Sequence, residues 1–448
     1  MRALAAGLRS YHSLCGSGGT SNRALRGRIS SILLNARLMH EERSTSEAKT
    51  PLFALLRQRI LASGPMTVHE YMRNVLTNPK SGYYMHRDVF GASGDFTTSP
   101  EVSQMFGEMI GVWFVHEWRK AGSPGDVRLI EMGPGRGTLT EDILRVFAKY
   151  DELVRTLSVH LVEVSGHLAK LQQERLCGGV VSAGGDDAGG KEPFFQQGKT
   201  KRGVPISWYR DIRVVPQGSY AMYLAHEFLD ALPIHKFVQT ERGWREVLVD
   251  LTPQPTAAGL NLRFVLAPNA TPSTIFIQRD EKRHHVEVCP EAGVFVQHVA
   301  KRLNDDGGSA LIVDYGHLGD KGDTFRAFRQ HQLHDPLSLP GDADLTADVD
   351  FAYLQRCVQN QAVTFGPVNQ GNFLTEMGMG IRLRKLLEVA KSRSEAELLV
   401  SAYDMLVNPN QMGERFKFMA MFPNAMATAL GLDPPAGFLA QSTNDSQL

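Results

Sequence analysis

Between residues 127 and 147 the hydrophobic pattern changes period. Val127, Leu129 and Ile130 form a short apolar run, Gly133, Gly135 and Gly137 interrupt it, and Leu139, Ile143, Leu144 and Phe147 resume at helical spacing. Strand, glycine turn and helix in that order predict the opening unit of a nucleotide-binding α/β sheet. "VHLVEVS" (159–165) predicts a second strand and "HLAKLQQERL" its helix. "SYAMYLAHE" (219–227) and "GSALIVDYG" (308–316) predict further buried strands, with "CPEAGVFVQHVAKRL" as a helix between them and "FKFMAMF" as a last strand. "HKFVQTERGWREVLVDL" and "LNLRFVLA" alternate with period two, which predicts an inserted β-rich arm over 234–290. Residues 178–203, rich in glycine and polar residues, predict a surface insertion.

Upstream, "PLFALLRQRILASG" and "MTVHEYMRNVLTNP" predict two helices, each closed by Gly or Pro. A long glycine-punctuated loop, "GYYMHRDVFGASGDFTTSP", then leads into another helix. Ser99 suits its N-cap, Pro100 its first position and Glu101 its positive end, while Met105, Phe106, Ile110, Trp113 and Phe114 give it a buried face. Tyr83 and Tyr84 read as packing residues. The expected organisation is an N-terminal helical extension over 46–122, a core over 123–434 carrying the two insertions, and a disordered tail over 435–448.

Composition narrows the function classes. With 448 residues and zero formal net charge, the chain carries no bulk basic field for nucleic acid. The four cysteines form no CxxC pair, and no apolar run reaches the length of a membrane helix. No metal site and no stable membrane insertion are expected. The first 40 residues hold six arginines and several serines and no acid before Glu41. Residues 1–45 therefore predict a mitochondrial transit peptide.

The glycine turn has three candidate ligands. No Lys follows Gly137, so a P-loop is discarded. The GxGxG spacing departs from the GxGxxG dinucleotide fingerprint, which weakens NAD or FAD without removing them. S-adenosylmethionine is favoured by Glu131, on the strand just before the glycines. That acid would repel a pyrophosphate but suits a methionine ammonium and a nearby sulfonium. Glu163, ending the second strand, can accept both ribose hydroxyl protons of any adenosine ligand.

Ligands of open parallel sheets bind beyond the strands' carboxyl ends. There "LAHEFLDALP" offers His226, Glu227 and Asp230, "IVDYG" offers Asp314 and Tyr315, and the long loop offers Asp95, Thr98, Ser99 and Glu101. An acceptor guanidinium keeps its proton in water, and carboxylates paired to its nitrogens would orient it and localise its charge. Glu227 is the leading candidate, with Asp230 and Glu101 next. Asp230 could equally cap a helix, and His226 could accept a proton or simply pack.

"NPKSGYY", "GDFTTSPEVSQMFGE", "EMGPGRGTL", "LVEVS", "HEFLDALP", "IVDYG", "DLTADVDF" and "NQGNFL" occur in this order from Asn78 to Leu374. Together they resemble the MidA family, mitochondrial and bacterial proteins of class I methyltransferase fold. The resemblance implies an S-adenosylmethionine-dependent, Rossmann-like α/β enzyme. It implies symmetric dimethylation of an arginine on a matrix-arm subunit of respiratory complex I, early in assembly and in the mitochondrial matrix. It supports Glu131, Gly133, Gly135, Gly137 and Glu163 as donor-site positions, with the GDF loop (Asp95, Thr98) closing over the donor. His226 stands where bacterial members more often carry Asn. A non-catalytic donor-binding assembly chaperone, a small-molecule methyltransferase and a dinucleotide oxidoreductase are the alternatives.

Overall fold

The computed structural model describes residues 50–86, 98–183, 194–253 and 261–438. Its central elements are α1 (Gln104–Lys120), β1 (Val127–Met132), α2 (Thr138–Phe147), β2 (Leu157–Val162), α3 (Gly166–Leu176), β3 (Pro205–Tyr209), β4 (Tyr220–His226), α4 (Pro290–Asp306), β5 (Gly308–His317), β6 (Val363–Asn369) and β7 (Phe416–Phe422). The strands lie in the order β3-β2-β1-β4-β5-β7-β6. β1 to β5 run parallel, and β7 is antiparallel to both β5 and β6. This is the class I S-adenosylmethionine-dependent methyltransferase fold. Its strand order reverses between β1 and β4, so their carboxyl ends open a crevice.

Alternation along the strands builds the two faces. Leu129 in β1, Leu224 in β4 and Val313 in β5 pack with Phe106, Ile110 and Phe114 of α1 and Ile143 of α2. The intervening Ile130, Ala225 and Ile312 pack with Val296, Val299 and Leu303 of α4 on the other face. Glu131 shares the face of Leu129, which turns its carboxyl toward α2.

The arm over 234–290 is antiparallel, as its period-two pattern predicts. Strand Gly243–Leu251 pairs with His235–Thr240 and Leu262–Leu266, and His235–Thr240 pairs with His285–Val288. The N-terminal segment divides in two. Helices Pro51–Ser63 and Val68–Thr77 bury Leu52, Leu56, Tyr71 and Met72 against Val247 and Val249 of the arm, and Met66–Thr67 adds a short strand to it. By contrast, α1 packs on the core sheet, because its apolar face meets α2 rather than the arm. A three-stranded sheet of Arg326–Arg329, Gln332–His334 and Asp344–Thr346 follows β5.

Three expectations need correction. The segment 178–203 is not wholly an insertion off the sheet, because Gln196–Lys199 pairs with β3 and Ser182–Ala183 extends that edge. The helix expected from Ser99 is two helices. Ser99–Val102 is preceded by Thr98 as N-cap, and Ser103 is extended before α1 and caps it by accepting from the Met105 N–H. Residues 435–438, expected in a disordered tail, are packed: Phe438 is 5% exposed and lies edge-on to Phe373 and Trp113, while Trp113 donates to the Ala436 carbonyl, and residues 439–448 lie outside the described residues. Residues 1–45 lie outside the described residues, as does Asp95. Among the described residues no helix is long and apolar enough to cross a membrane.

Candidate active site

A cavity of about 520 Å³ lies at the carboxyl ends of β1, β2, β4 and β5. At one end is the glycine turn. Gly133, Gly135 and Gly137 have φ of 55°, 55° and 78°, the left-handed region that glycine enters without strain. A Cβ on Gly133 would also stand 3.0 Å from the Phe228 ring. The Gly133 N–H donates to the Val162 carbonyl, which ties the turn to β2.

Two carboxylates border this turn. Glu131 accepts from the Thr140 hydroxyl in α2, and burial pushes its carboxyl up to about 7. Glu163 follows β2. One of its oxygens accepts from the Ser165 N–H at 2.7 Å and the other from Gln172 Nε2 at 3.0 Å. Burial raises it to about 7 as well, against those hydrogen bonds. Gln172 also donates to the Gly135 carbonyl at 2.7 Å, and its own oxygen accepts from Trp208 Nε1 at 2.9 Å. One side chain thus fixes the glycine turn and the acid together. Gln172 escaped sequence reasoning, because a lone Gln on a polar helix carries no signal until its burial is seen.

Glu101 stands at the same end. It accepts from Thr138 Oγ1 at 2.6 Å and faces Arg136 at 3.5 Å. Thr98 and Glu101 both line the cavity.

The other end is a cluster of acids. Glu227 follows β4 with φ 47°, a conformation that costs a non-glycine residue of order 1 kcal/mol or more. Its Oε1 accepts the Ser99 N–H at 3.1 Å. Burial raises Glu227 to about 8, with a smaller contribution from the Asp230 charge. Asp230 does not cap a helix. Its Oδ2 accepts from Tyr315 and Thr346, while its Oδ1 is buried without a partner among the described residues. Asp314 accepts the N–H groups of Phe228, Leu229 and Asp230 at 3.2, 3.0 and 3.3 Å, and so shapes the loop that presents Glu227 and Asp230.

Asp344 and Tyr84 complete the cluster. The Tyr84 hydroxyl donates to Asp344 at 2.7 Å, and its carbonyl accepts from Ser165 Oγ at 2.7 Å. Tyr84, expected only to pack, lines the cavity between its two ends. Asp344 was not singled out, because it lies 117 positions beyond Glu227 in an irregular polar stretch.

Residues 109–368 match the model of a family of S-adenosyl-L-methionine-dependent methyltransferases. The chain belongs to that family. A mouse relative named protein arginine methyltransferase NDUFAF7, mitochondrial, is 53% identical over 385 residues, covering 86% of this chain and 87% of its own. The human protein of that name is 51% identical over 377 residues, 84% of each chain. A solved Burkholderia thailandensis structure with S-adenosyl-homocysteine bound superposes with TM-score 0.70 at 24% identity, covering 89% of this chain and 96% of that one, and it supports the fold. The cofactor of this family is S-adenosylmethionine, which removes the dinucleotide alternative.

The residues at the glycine turn fit that cofactor. Gly133 and Gly135 border the cavity with bare backbone, and a Cβ on Gly133 would crowd the Phe228 ring. Glu131 and Glu163 line the cavity beside the turn, and carboxylates there are chemically compatible with a ligand that is cationic and carries a ribose diol.

Proposed function

We propose that this protein methylates an arginine side chain of a protein, with Glu227 and Asp230 holding the guanidinium. The observation that carries this reading is the acid cluster at the far end of the methyltransferase cleft, where Asp230 Oδ1 is buried without a partner. An uncompensated buried acceptor costs about 1–3 kcal/mol, and a bound guanidinium would satisfy it. The names of the relatives support arginine as the acceptor.

The glycine-turn end is the donor half. Gly133, Gly135 and Gly137 admit the amino-acid portion of the cofactor, Glu163 accepts its ribose hydroxyls, and Glu131, Glu101 and Thr98 border its cationic end. Bound there, S-adenosylmethionine supplies an activated methyl group on a sulfonium. The acid end is the acceptor half. Glu227 accepts two N–H groups of the guanidinium and orients the remaining nitrogen toward the donor half; that nitrogen gains the methyl group and gives up one N–H proton to solvent, the sulfonium leaving as a neutral thioether, so catalysis is chiefly positioning. Burial keeps Glu227 largely protonated below pH 8, and an incoming cation favours its charged form. Peptide binding therefore releases a proton below pH 8, and affinity rises with pH up to about that value.

The finer reading follows the MidA resemblance: symmetric dimethylation of an arginine on a matrix-arm complex I subunit during assembly. The mitochondrial names of the relatives and the arginine-rich, acid-free N-terminus support import, with the matrix as destination. The test is mass spectrometry of complex I subunits from cells lacking the protein, repeated after re-expression of the wild type or of Glu227→Gln. One subunit should lose symmetric dimethylarginine and regain it only with the wild type. Assembly restored equally by Glu227→Gln would support a non-catalytic chaperone instead.

A further inference from the structure

Three buried side-chain atoms around Glu227 have no hydrogen-bond partner among the described residues: Ser99 Oγ, His226 Nε2 and Asp230 Oδ1. His226 and Asp230 line the cavity. Most buried polar atoms are paired, so orphans gathered at a cleft mark positions that a ligand completes. His226 is 7% exposed and ends β4, where Val313 of β5 holds its backbone in register. Its ring lies edge-on to Phe106, with centroids 5.1 Å apart. Nε2 stands 3.2 Å from Glu227 Oε1 but makes no hydrogen bond to it. Burial lowers the imidazole to about 3 and so keeps it neutral, and a neutral imidazole retains a lone pair on one ring nitrogen. It sets no positive charge against an incoming cation.

We propose that His226 is a specificity-determining residue of the acceptor half, its Nε2 accepting an N–H of the substrate guanidinium beside the Glu227 carboxylate. The proton then sits on Nδ1. A guanidinium presents five N–H donors in one plane, whereas an ammonium presents three around one nitrogen. Two acceptors on adjacent residues, 3.2 Å apart, suit the planar group. The proposal rests on the arginine reading above.

The test compares His226→Leu with His226→Asn in the full chain. Calorimetry gives the affinity for S-adenosylmethionine, and steady-state methyl transfer to an arginine peptide gives KM and kcat. His226→Leu should raise the peptide KM about tenfold with donor affinity within twofold of wild type. His226→Asn, which keeps an acceptor, should recover most of the loss. An unchanged KM in His226→Leu would overturn the proposal, and so would a parallel loss of donor affinity that Asn does not repair, which would make the ring a packing element. Should His226→Leu not fold, His226→Phe against His226→Asn makes the same comparison. If wild-type protein binds the donor yet neither binds nor methylates the arginine peptide, the arginine reading itself fails and this proposal falls with it.

Discussion

The two halves of the cleft differ in how their acids are held. On the proposed donor side, Glu131 lies in β1 and Glu163 directly after the neighbouring β2, and their hydrogen bonds come from Thr140, Ser165 and Gln172, in or just before the helices that follow those strands. On the proposed acceptor side, Glu227 and Asp230 come from the loop after β4 and Asp344 from the small sheet after β5, and one Asp230 oxygen has no partner among the described residues. The donor half is finished by the fold. In the proposed function the acid cluster is left for a substrate to finish, at a cost in stability carried by buried acids.

That contrast can be broken by mutation. The largest effect is expected from Gly133→Val. The residue sits at φ 55°, and the new side chain would press on Phe228. Donor affinity by calorimetry should fall by more than about a hundredfold. Glu227→Gln comes next. Methyl transfer should fall by roughly 100- to 1000-fold, while donor affinity stays within about threefold. Glu163→Ala should do the opposite, weakening donor binding by about 10- to 100-fold through the loss of charge-assisted hydrogen bonds to the ribose.

Acidity sharpens the comparison further. Glu131, Glu163 and Glu227 are raised from 4.5 to about 7, 7 and 8, so the folded chain binds protons more tightly than the unfolded one. Their contribution to stability is full below about pH 4.5 and is lost as pH rises through 7 to 8. Thermal unfolding without ligand should therefore move to lower temperature between pH 6 and pH 9. Glu227→Gln should unfold at a higher temperature than wild type at pH 9, where the native carboxyl is charged and buried, despite its slower methyl transfer. The smallest effect is expected from Tyr84→Phe, which removes one hydrogen bond to Asp344 and should raise the peptide KM about threefold.

The same contrast explains what could be read from sequence. The glycine turn, Glu131 and Glu163 were legible because a βαβ unit places them by local rules: strand end, tight turn, helix start. The β-rich arm was legible from its period-two alternation. Glu227 and Asp230 could be nominated from a strand end, but their partners could not. Tyr315 and Thr346 meet Asp230 only because β5 and the small sheet converge across 116 positions. Pairing of Gln196–Lys199 with β3 was hidden because "QQGK" is polar and edge strands need no apolar pattern. Order at Phe438 depends on an aromatic pocket built by Trp113 and Phe373, far away in sequence.

The most direct test of this two-part cleft is single-turnover methyl transfer to an arginine peptide at saturating S-adenosylmethionine, comparing Glu163→Ala with Glu227→Gln. The account predicts that Glu163→Ala regains a rate close to wild type once the donor saturates, whereas Glu227→Gln stays slow at any donor concentration. Recovery of Glu227→Gln under saturating donor, or failure of Glu163→Ala to recover, would contradict it.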